Sequence, residues 1–421
     1  MDTLLQLFLK HGSVSTDTRK IKEGDLFFAL KGANFNGNAF ASQALQAGAA
    51  AAIIDEAQYA SDDERIIFVP DVLNALQQLA SAYRAHLAVP VLALTGSNGK
   101  TTTKELMAAV LSVKYKLHFT RGNLNNEIGV PLTILSAPVN TEMMVIEMGA
   151  NHQGEIMALC EIAKPDYGMI TNIGLAHLEG FGGPEGVKKG KSEMYRYLDT
   201  HGGKIFLNTA DEVLVSLVKN TSSAILYNAN DYHTEPGEFL NLKDNAGNLY
   251  ISHLVGAYNK ANMAAAISIG QYFGVSIQQI QNAISDYFPS NNRSQKAEYN
   301  GAYIIKDAYN ANPSSMNAAL DAFLSDDTPN KIVILGDMLE LGEFSRDAHI
   351  NILQKVCAHP LKDAVFIGPR FYELKDLYPA RFFLSADDAK SFINWSEYAG
   401  KTILLKGSRG IALEKLLDTN P

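Results

Sequence analysis

The stretch TGSNGKTTTK, residues 95–104, has the residue types and spacing of a polyphosphate-binding turn. Glycines let the backbone approach phosphate oxygens closely, and the N–H groups at the start of a following helix can bind them. The Lys100 side chain can reach the β- and γ-phosphates of a nucleotide, and the Thr101 hydroxyl can bind Mg²⁺. The stretch predicts a nucleotide site formed by Thr95, Gly96, Ser97, Asn98, Gly99, Lys100, Thr101 and Thr102.

The flanking residues predict the elements that position this turn. An apolar run at 91–94 predicts a buried strand before it, and the apolar periodicity of 106–111 predicts a helix after it. Only the Gly-Lys-Thr half has the standard spacing, because Leu94 stands where the general pattern has its first glycine. The alternative is a glycine turn capped by Thr101 with a solvated Lys100. The order strand, turn, helix favours the phosphate site.

Two further side chains with metal-binding chemistry follow predicted strands. Glu147 ends the apolar run 143–147, and His177 lies in the glycine-rich loop after a strand that begins at Tyr167. Strands and helices alternate here, which predicts a mostly parallel sheet with ligands at the carboxyl ends of its strands. Glu147 is then a natural Mg²⁺ ligand. Alone, Glu147 can equally be a capping or ion-paired acid, and imidazole is uncommon on Mg²⁺.

Other polar residues have structural alternatives of similar weight. Asp17 and Arg19 in the turn STDTR can form a surface ion pair with an N-capping acid. The lysines of KKGKSEMY, residues 188–195, can be a solvated helix face. Asn259, at the start of an alanine-rich helix, can be an N-cap.

Composition excludes several classes of protein. The 421 residues include 36 Lys and Arg against 45 Asp and Glu, a net charge of −9, which argues against nucleic acid or an anionic membrane as the main partner. Cys160 and Cys357 follow no metal-binding or redox spacing and predict a reducing compartment. The N-terminus resembles a helix rather than a signal, and no apolar run reaches about 18 residues. A cytoplasmic protein is expected.

The chain is too long for one core, and its pattern predicts an α/β fold with three domains. Residues 1–88 are predicted to form a small α/β domain, 89–290 a central parallel-sheet domain, and 291–421 a doubly wound, Rossmann-like domain. Three polar motifs of the last domain follow predicted strands: KDAYNANPSS, GDMLELGEFS and KGSRG.

Nine motifs together resemble the Mur ligase family, ATP-dependent amide ligases of bacterial cell-wall synthesis. In chain order they are TGSNGKTTTK, NNEIGVP, EMGAN, NIGLAHLEGFG, KGKSEMY, LVGAYNKANMAAA, DAYNANPSS, GDMLELGE and KGSRG. Their YNANP and GDMLELG forms are most similar to the member that adds D-alanyl-D-alanine to UDP-N-acetylmuramoyl-tripeptide. The resemblance implies these two substrates, ATP and two Mg²⁺. A monomer is the default expectation.

The resemblance also implies roles for individual residues. Lys100 and Thr101 would hold ATP phosphates and one Mg²⁺, and Glu147 and His177 the second. Lys191 matches the family's carbamylated lysine, a cation turned into a carboxylate-like ligand. Adenine, γ-phosphate and ribose would contact Asn259, Arg293 and Asp307, respectively. The substrate residues would be Ser15, Asp17, Thr18 and Arg19 for the uridine nucleotide, with Asn123, Asn126, Tyr309, Asn310 and Asn312 nearer the reacting groups.

Such a ligase activates a carboxylate by transferring the ATP γ-phosphoryl group to it, and an amine then displaces phosphate. Lys100, Glu147, His177, Lys191 and Arg293 are the expected catalytic residues, acting by positioning and charge neutralisation. The sequence shows no base for the amine; His349 and Asp337 are two candidates. Alternatives are another ligase of the superfamily, such as a folylpolyglutamate synthetase, a nucleotide switch, or a non-catalytic paralogue. The STDTR-to-KG segment favours a UDP substrate over folate.

Overall fold

Three predominantly parallel β-sheets follow one another along the chain in the computed structural model, which describes residues 2–219, 224–289, 293–325 and 330–417. The predicted α/β class is confirmed. Each sheet is flanked by the helices that connect its strands. The predicted boundary at 88/89 falls next to Ala88, which has a φ of +50° and ends a helix, whereas the boundary at 290/291 lies outside the described residues.

The first sheet has four parallel strands, and a small antiparallel hairpin follows its second strand. The strands, in spatial order, are Val14–Ser15, Leu26–Phe28, Ala51–Ile54 and Ile66–Phe68. The helices are Asp2–His11, Ala41–Gln46 and Val72–Leu87, and the hairpin pairs Lys31–Gly32 with Phe35–Asn36. The two-residue strands are too short for a periodic pattern, so the sequence did not predict them.

The helix Val72–Leu87 joins this first domain to the central one. Asp71 caps its start by accepting the Asn74 N–H at 2.6 Å. Near its end the Tyr83 hydroxyl donates to the Ala137 carbonyl at 2.8 Å, and Arg84 donates to the carbonyl of Lys164 at 2.9 Å. These bonds hold the helix against two helices of the central domain, so the first two sheets share one buried apolar cluster.

The central sheet has six parallel strands. In spatial order they are Ala224–Tyr227, Lys204–Asn208, Tyr167–Ile170, Val91–Thr95, Met143–Glu147 and Leu117–Phe119. The helices are Lys100–Leu111, Gly129–Leu135, Glu155–Ala163, Leu178–Phe181, Pro184–Lys191, Glu193–His201, Glu212–Leu217, Lys260–Tyr272 and Ile277–Ser285. An antiparallel sheet of Tyr232–Glu235, Asn241–Asp244 and Leu249–Tyr250 covers one side. The central strands Val91–Thr95 and Met143–Glu147 are buried throughout, as expected for a sheet covered on both faces.

The third sheet has one antiparallel edge strand and five parallel strands. In spatial order they are Gln295–Tyr299, Ala302–Asp307, Thr402–Lys406, Lys331–Gly336, Asp363–Ile367 and Arg381–Phe383. The helices are Pro313–Leu324, Ser345–Cys357, Pro369–Tyr372 and Ala386–Lys390. The sequence predicted the five parallel strands and missed the edge strand, whose alternating half-buried residues carry little apolar signal.

Loops of the third domain contact the central domain beside the phosphate-binding turn. The Asn312 amide donates to Asn98 Oδ1 at 2.7 Å, and the Leu175 N–H donates to Ser314 Oγ at 2.9 Å. These bonds bring the carboxyl edges of the two sheets to face each other. Among the helices of the described residues, none is long and apolar enough to cross a membrane.

Candidate active site

A cavity of about 830 Å³ lies between the carboxyl edge of the central sheet and the third domain. Most of the site residues predicted from the sequence line it. They are Ser97, Asn98, Gly99, Lys100, Thr101, Thr102, Asn123, Asn126, Glu147, His177, Asn259, Arg293, Asp307, Tyr309 and Asn310. Residues more than 200 positions apart in sequence therefore meet at one site.

The phosphate-binding turn owes its shape to two glycines. Gly99 has a φ of +78° and starts the helix Lys100–Leu111. Gly96 has a φ of +142°, and a Cβ atom there would lie 2.0 Å from the Thr171 hydroxyl oxygen. Both positions are closed to residues with side chains. Thr95 and Gly96 lie behind the turn rather than in the cavity lining.

Lys100 is the cation of this turn. Its Nζ donates to the Gly96 carbonyl at 2.7 Å, so the side chain folds back over the turn. Burial lowers the pKa of Lys100 to about 8, and the positive charge of Arg293 adds to the shift, while Glu147 opposes it. Two cations, from different domains, thus face the same space. An anion with several charges fits between them.

Glu147 has one carboxylate oxygen without a hydrogen-bond partner. The side chain is 1% exposed, and its Oε1 accepts from the Thr101 hydroxyl at 3.1 Å and from the Asn125 amide at 2.8 Å. Oε2 accepts no hydrogen bond, and the nearest cation, Lys104 Nζ, is 3.8 Å away. A buried carboxylate oxygen left unpaired at a cavity wall fits a hard cation such as Mg²⁺.

His177 contacts the third domain as well as the cavity. Its Nδ1–H donates to a carboxylate oxygen of Glu340. Both residues have left-handed backbones, with φ of +53° and +61°. A carboxylate on one ring nitrogen orients the ring and leaves Nε2 as the ligand atom, which is the usual arrangement of a metal-binding histidine. The described residues contain no cluster of three His, Cys, Asp or Glu side chains able to hold a metal.

Lys191 is fully buried just behind the cavity lining. Its Nζ donates to the Ala150 carbonyl at 2.9 Å and lies 4.9 Å from the centre of the Phe181 ring. Burial holds the pKa of Lys191 well below its ordinary value, and Lys100 adds to this, while Glu155 and Glu193 oppose it. Burial of this kind favours the neutral, nucleophilic form of the amine.

Residues of the third domain complete the wall opposite the phosphate-binding turn. The Arg293 guanidinium stacks on the Tyr309 ring, with Cζ 3.8 Å from the ring centre, and its buried Nε has no hydrogen-bond partner. Asp307 pairs with the buried Lys406.

Asn259 lies in the central domain, just before the helix Lys260–Tyr272. It does not act as a side-chain cap; its amide donates to the Val255 carbonyl at 2.8 Å.

Five of the predicted substrate residues lie outside the cavity lining. Asn312 caps its own helix through Ser315 and donates to Asn98, so its side chain joins two domains. Ser15, Asp17, Thr18 and Arg19 lie at the carboxyl end of the first strand of the N-terminal sheet. Asp17 caps the turn there, and Arg19 holds the pKa of Asp17 at about 2. The surface ion pair considered as an alternative is thus present.

Several residues in the lining were not singled out from the sequence. They are Asn125, His152, Glu155, Asn172, Glu340 and Lys406. Each stands within a few residues of the carboxyl end of a strand or inside a motif already noted, as Glu340 does in GDMLELGE. Position at a strand end was therefore the usable signal, but it does not say which side chains turn inward.

Neither candidate base, His349 or Asp337, reaches the cavity, so that expectation is wrong. His349 Nε2 accepts the Met338 N–H at 3.1 Å, and its Nδ1–H donates to the Ser345 carbonyl at 2.7 Å. Burial lowers the pKa of His349 to about 4 and raises that of Asp337 to about 6. Asp337 accepts the N–H groups of Arg370 and Phe371. Both side chains order loops of the third domain.

Replacing His349 with alanine should destabilise the protein without disabling the site. The change leaves the buried Met338 N–H unpaired and opens a void, which together should lower the free energy of unfolding by about 2–4 kcal/mol. Urea unfolding measures this loss, and turnover of the folded protein should stay within about threefold. His359→Ala, an exposed histidine, is the control. A stable His349→Ala variant with abolished turnover would contradict the structural role.

Three family models match successive parts of the chain. The Mur ligase family, catalytic domain, matches residues 11–84; the Mur ligase middle domain matches 94–270; and the Mur ligase, glutamate ligase domain, matches 292–409. Together they cover most of the three sheets and the cavity between them.

Similar proteins extend over almost the whole chain. A UDP-N-acetylmuramoyl-tripeptide--D-alanyl-D-alanine ligase of Bacillus subtilis is 36% identical over 97% of this chain and 92% of its own length. A crystal structure of MurF from Acinetobacter baumannii has a TM-score of 0.85 at 32% identity, covering 96% of this chain and 92% of that one. MurF ligase from Thermotoga maritima in complex with ADP has a TM-score of 0.82 at 26% identity, covering 99% and 97%. The chain therefore belongs to the Mur ligase family of ATP-dependent amide ligases.

Proposed function

We propose that this protein joins the amine of D-alanyl-D-alanine to the free carboxylate of UDP-N-acetylmuramoyl-tripeptide, with conversion of ATP to ADP and phosphate, in the synthesis of peptidoglycan precursors. One observation carries the proposal: a single cavity has the phosphate-binding turn on one wall and Arg293, Asp307 and Tyr309 of the third domain on the other. The name shared by the full-length relatives gives the substrates.

The chemistry requires that a poor acceptor be activated. A carboxylate does not react with an amine because oxide is a very poor leaving group. An acyl phosphate reacts because phosphate is a good one. Lys100 and Arg293 face the same space from two domains and suit the charge that spreads over a transferring phosphoryl group. The Asn98–Asn312 bond between the domains supports a closed cavity that shields the acyl phosphate from water.

Two Mg²⁺ ions fit the donors present. Thr101 would hold one with ATP phosphates, and Glu147 and His177 the other; when bound, the ions supply charge neutralisation. The neutral amine of Lys191 can add CO₂ to become a carbamate, which is an anionic oxygen ligand. Its burial beside Ala150 and Phe181 supports this assignment.

The remaining contacts are assigned by the same reasoning. Asn259 would contact adenine, Asp307 the ribose, and Tyr309 and Asn310 the dipeptide, with Asn123 and Asn126 near the tripeptide. Ser15, Asp17, Thr18 and Arg19 would contact the uridine nucleotide at the edge of the first sheet. Asn312 would act by joining the domains.

The broader organisation belongs to this proposal too. The domains would be 1–88 for the UDP substrate, 89–290 for ATP, and 291–421 for the dipeptide. The protein would act as a cytoplasmic monomer that binds neither nucleic acids nor membranes.

Phosphate release from ATP tests the function. We expect release with UDP-N-acetylmuramoyl-tripeptide to depend on D-alanyl-D-alanine, and the product to gain the mass of the dipeptide less one water. Tripeptides with lysine and with diaminopimelate should both be tried. Folded protein that releases no dipeptide-dependent phosphate with either would refute the proposal, and release with a folate substrate would favour the folylpolyglutamate alternative.

A further inference from the structure

An imidazole in the cavity lining has no part in the roles described so far. His152 lies in the turn between the strand Met143–Glu147 and the helix Glu155–Ala163, and its side chain is 64% exposed. It is close in sequence to Glu147 but makes no contact with that side chain's hydrogen-bond partners. His152 therefore faces the site and is not hydrogen-bonded to the residues assigned to the metal.

Glu155 holds this imidazole in one orientation. The Glu155 Oε1 atom lies 2.9 Å from His152 Nδ1, while Oε2 accepts the N–H groups of Asn151 at 2.7 Å and His152 at 3.2 Å. Backbone and side-chain hydrogen bonds together keep the pKa of Glu155 below its ordinary value, against the effect of burial. An ionised Glu155 accepts a hydrogen bond from the Nδ1–H group and leaves Nε2 with a free lone pair.

A glycine packs closely against the imidazole and the turn that carries it. A Cβ atom at Gly180 would lie 3.1 Å from His152 Nε2 and 2.4 Å from the Asn151 carbonyl oxygen. Gly180 belongs to the short helix Leu178–Phe181, which begins right after His177. The accessibility of the imidazole follows from its position, because His152 lines the cavity and its side chain is 64% exposed.

The other ionisable side chains that meet this turn already have partners. Glu193 accepts the N–H groups of Gly154 and Met157, and Lys191 donates to the Ala150 carbonyl. On the opposite side, His177 pairs with Glu340. The helix that carries Gly180 adds one further ionisable side chain near this turn, that of Glu179. His177 has a similarly oriented ring, but its Nε2 is the atom assigned to the metal, so His152 is the imidazole left for proton transfer.

We propose that His152 is the base that accepts the proton of the attacking dipeptide amine, with Glu155 as its positioning residue. This inference rests on the proposed function, because it assigns a base to that reaction. It fills the role for which His349 and Asp337 are too deeply buried.

The step balances as follows. The amine nitrogen forms a bond to the acyl carbon, and the bond from that carbon to the phosphate oxygen breaks with its electron pair. The nitrogen, now positively charged, gives one proton to His152 Nε2. The imidazolium, stabilised by Glu155, passes the proton to the departing phosphate, and the products are an amide and hydrogen phosphate.

A small, strong nucleophile whose adduct loses its proton to water separates this role from a structural one. Hydroxylamine carries a free lone pair at neutral pH and turns an acyl phosphate into a hydroxamate. In His152→Gln, ligation of D-alanyl-D-alanine at saturating substrate should fall about 100-fold. Hydroxamate formation with hydroxylamine in place of the dipeptide should stay within about threefold of the parent, as should the KM for ATP.

Two further variants sharpen the result. Glu155→Gln should lower ligation about tenfold, with hydroxamate formation again spared. His359→Gln is the control: its Nδ1 contacts the backbone carbonyl of Lys355 at 2.8 Å instead of a carboxylate, and it lies outside the cavity lining. Its two rates should equal those of the parent.

The outcomes are distinct. Unchanged ligation in His152→Gln, or equal loss of ligation and hydroxamate, would overturn the role of His152 while the parent activity upheld the proposed function. Parent protein that forms hydroxamate but never ligates the dipeptide would refute the proposed function, and the inference with it.

Discussion

Replacing Lys191 with methionine should lower ligase turnover about 100- to 1000-fold while the protein stays folded. Methionine fills the same buried space beside Phe181 and the Ala150 carbonyl but has no amine. Burial disfavours the charged form of the amine, so its removal should cost no more than the lost hydrogen bond to the Ala150 carbonyl, about 1–3 kcal/mol. A large loss of turnover would then reflect chemistry that needs the amine.

Carbon dioxide gives this prediction a second readout. If the amine acts as a carbamate, parent turnover should fall in CO₂-depleted buffer and recover when bicarbonate is added. Lys191→Met should show no response. Lys189→Met is the control, because Lys189 is exposed on the same helix. Full turnover in Lys191→Met would exclude any catalytic role for the amine.

Much of the site could be predicted because its chemistry is local in sequence. The phosphate-binding turn needs only a strand, two glycines and a helix start, all contained in residues 91–111. Glu147 was predicted in the same way, because it ends a fully apolar strand of a parallel sheet. Strong apolar patterns also predict a helix from 72 to 86 and strands at 332–336 and 364–367. The structure has them at Val72–Leu87, Lys331–Gly336 and Asp363–Ile367.

What the sequence left open depends on contacts between distant segments. No local pattern says that His177 meets Glu340, or that the Asn312 amide reaches Asn98, because each pair forms only when two domains face each other. His349 shows the opposite error. Its residue type suggests acid–base chemistry, but it lies on the inner face of a helix and bonds only to backbone and buried groups. Residue type suggests chemistry, but hydrogen-bond partners and access to the cavity decide whether a side chain can use it.

Glu147→Gln should abolish turnover, by about 1000-fold, without weakening the ligand-free protein. The buried carboxylate carries an oxygen with no hydrogen-bond partner, which is a cost to the folded state until a cation binds. Glutamine keeps an oxygen for Thr101 and Asn125 and removes the charge. The free energy of unfolding should therefore stay within about 1 kcal/mol of the parent value or rise above it.

Lys104 does not lose its pairing in this variant. Its Nζ lies 2.8 Å from a carboxylate oxygen of Glu105 and donates to the Thr120 carbonyl, whereas Glu147 is 3.8 Å away. Urea unfolding of the ligand-free variant therefore reports mainly on the removed charge. A loss of several kcal/mol would mean that Glu147 serves the fold, and the metal assignment would lose its main support.

Ligand-induced stabilisation separates the two roles most clearly. At Mg²⁺–ATP concentrations of about 100 Kd the parent should gain about 2.7 kcal/mol, and Glu147→Gln should lose most of that gain because the cation has lost its buried ligand. Glu142→Gln is the control: Glu142 lies just before the same strand and accepts the Lys116 N–H, outside the cavity lining. An undiminished gain with Mg²⁺–ATP in Glu147→Gln would show that the unpaired oxygen binds no metal. If the variant lost the stabilisation by Mg²⁺–ATP but kept its ligand-free stability, the folded chain would tolerate a buried carboxylate oxygen without a hydrogen-bond partner in order to bind the ion.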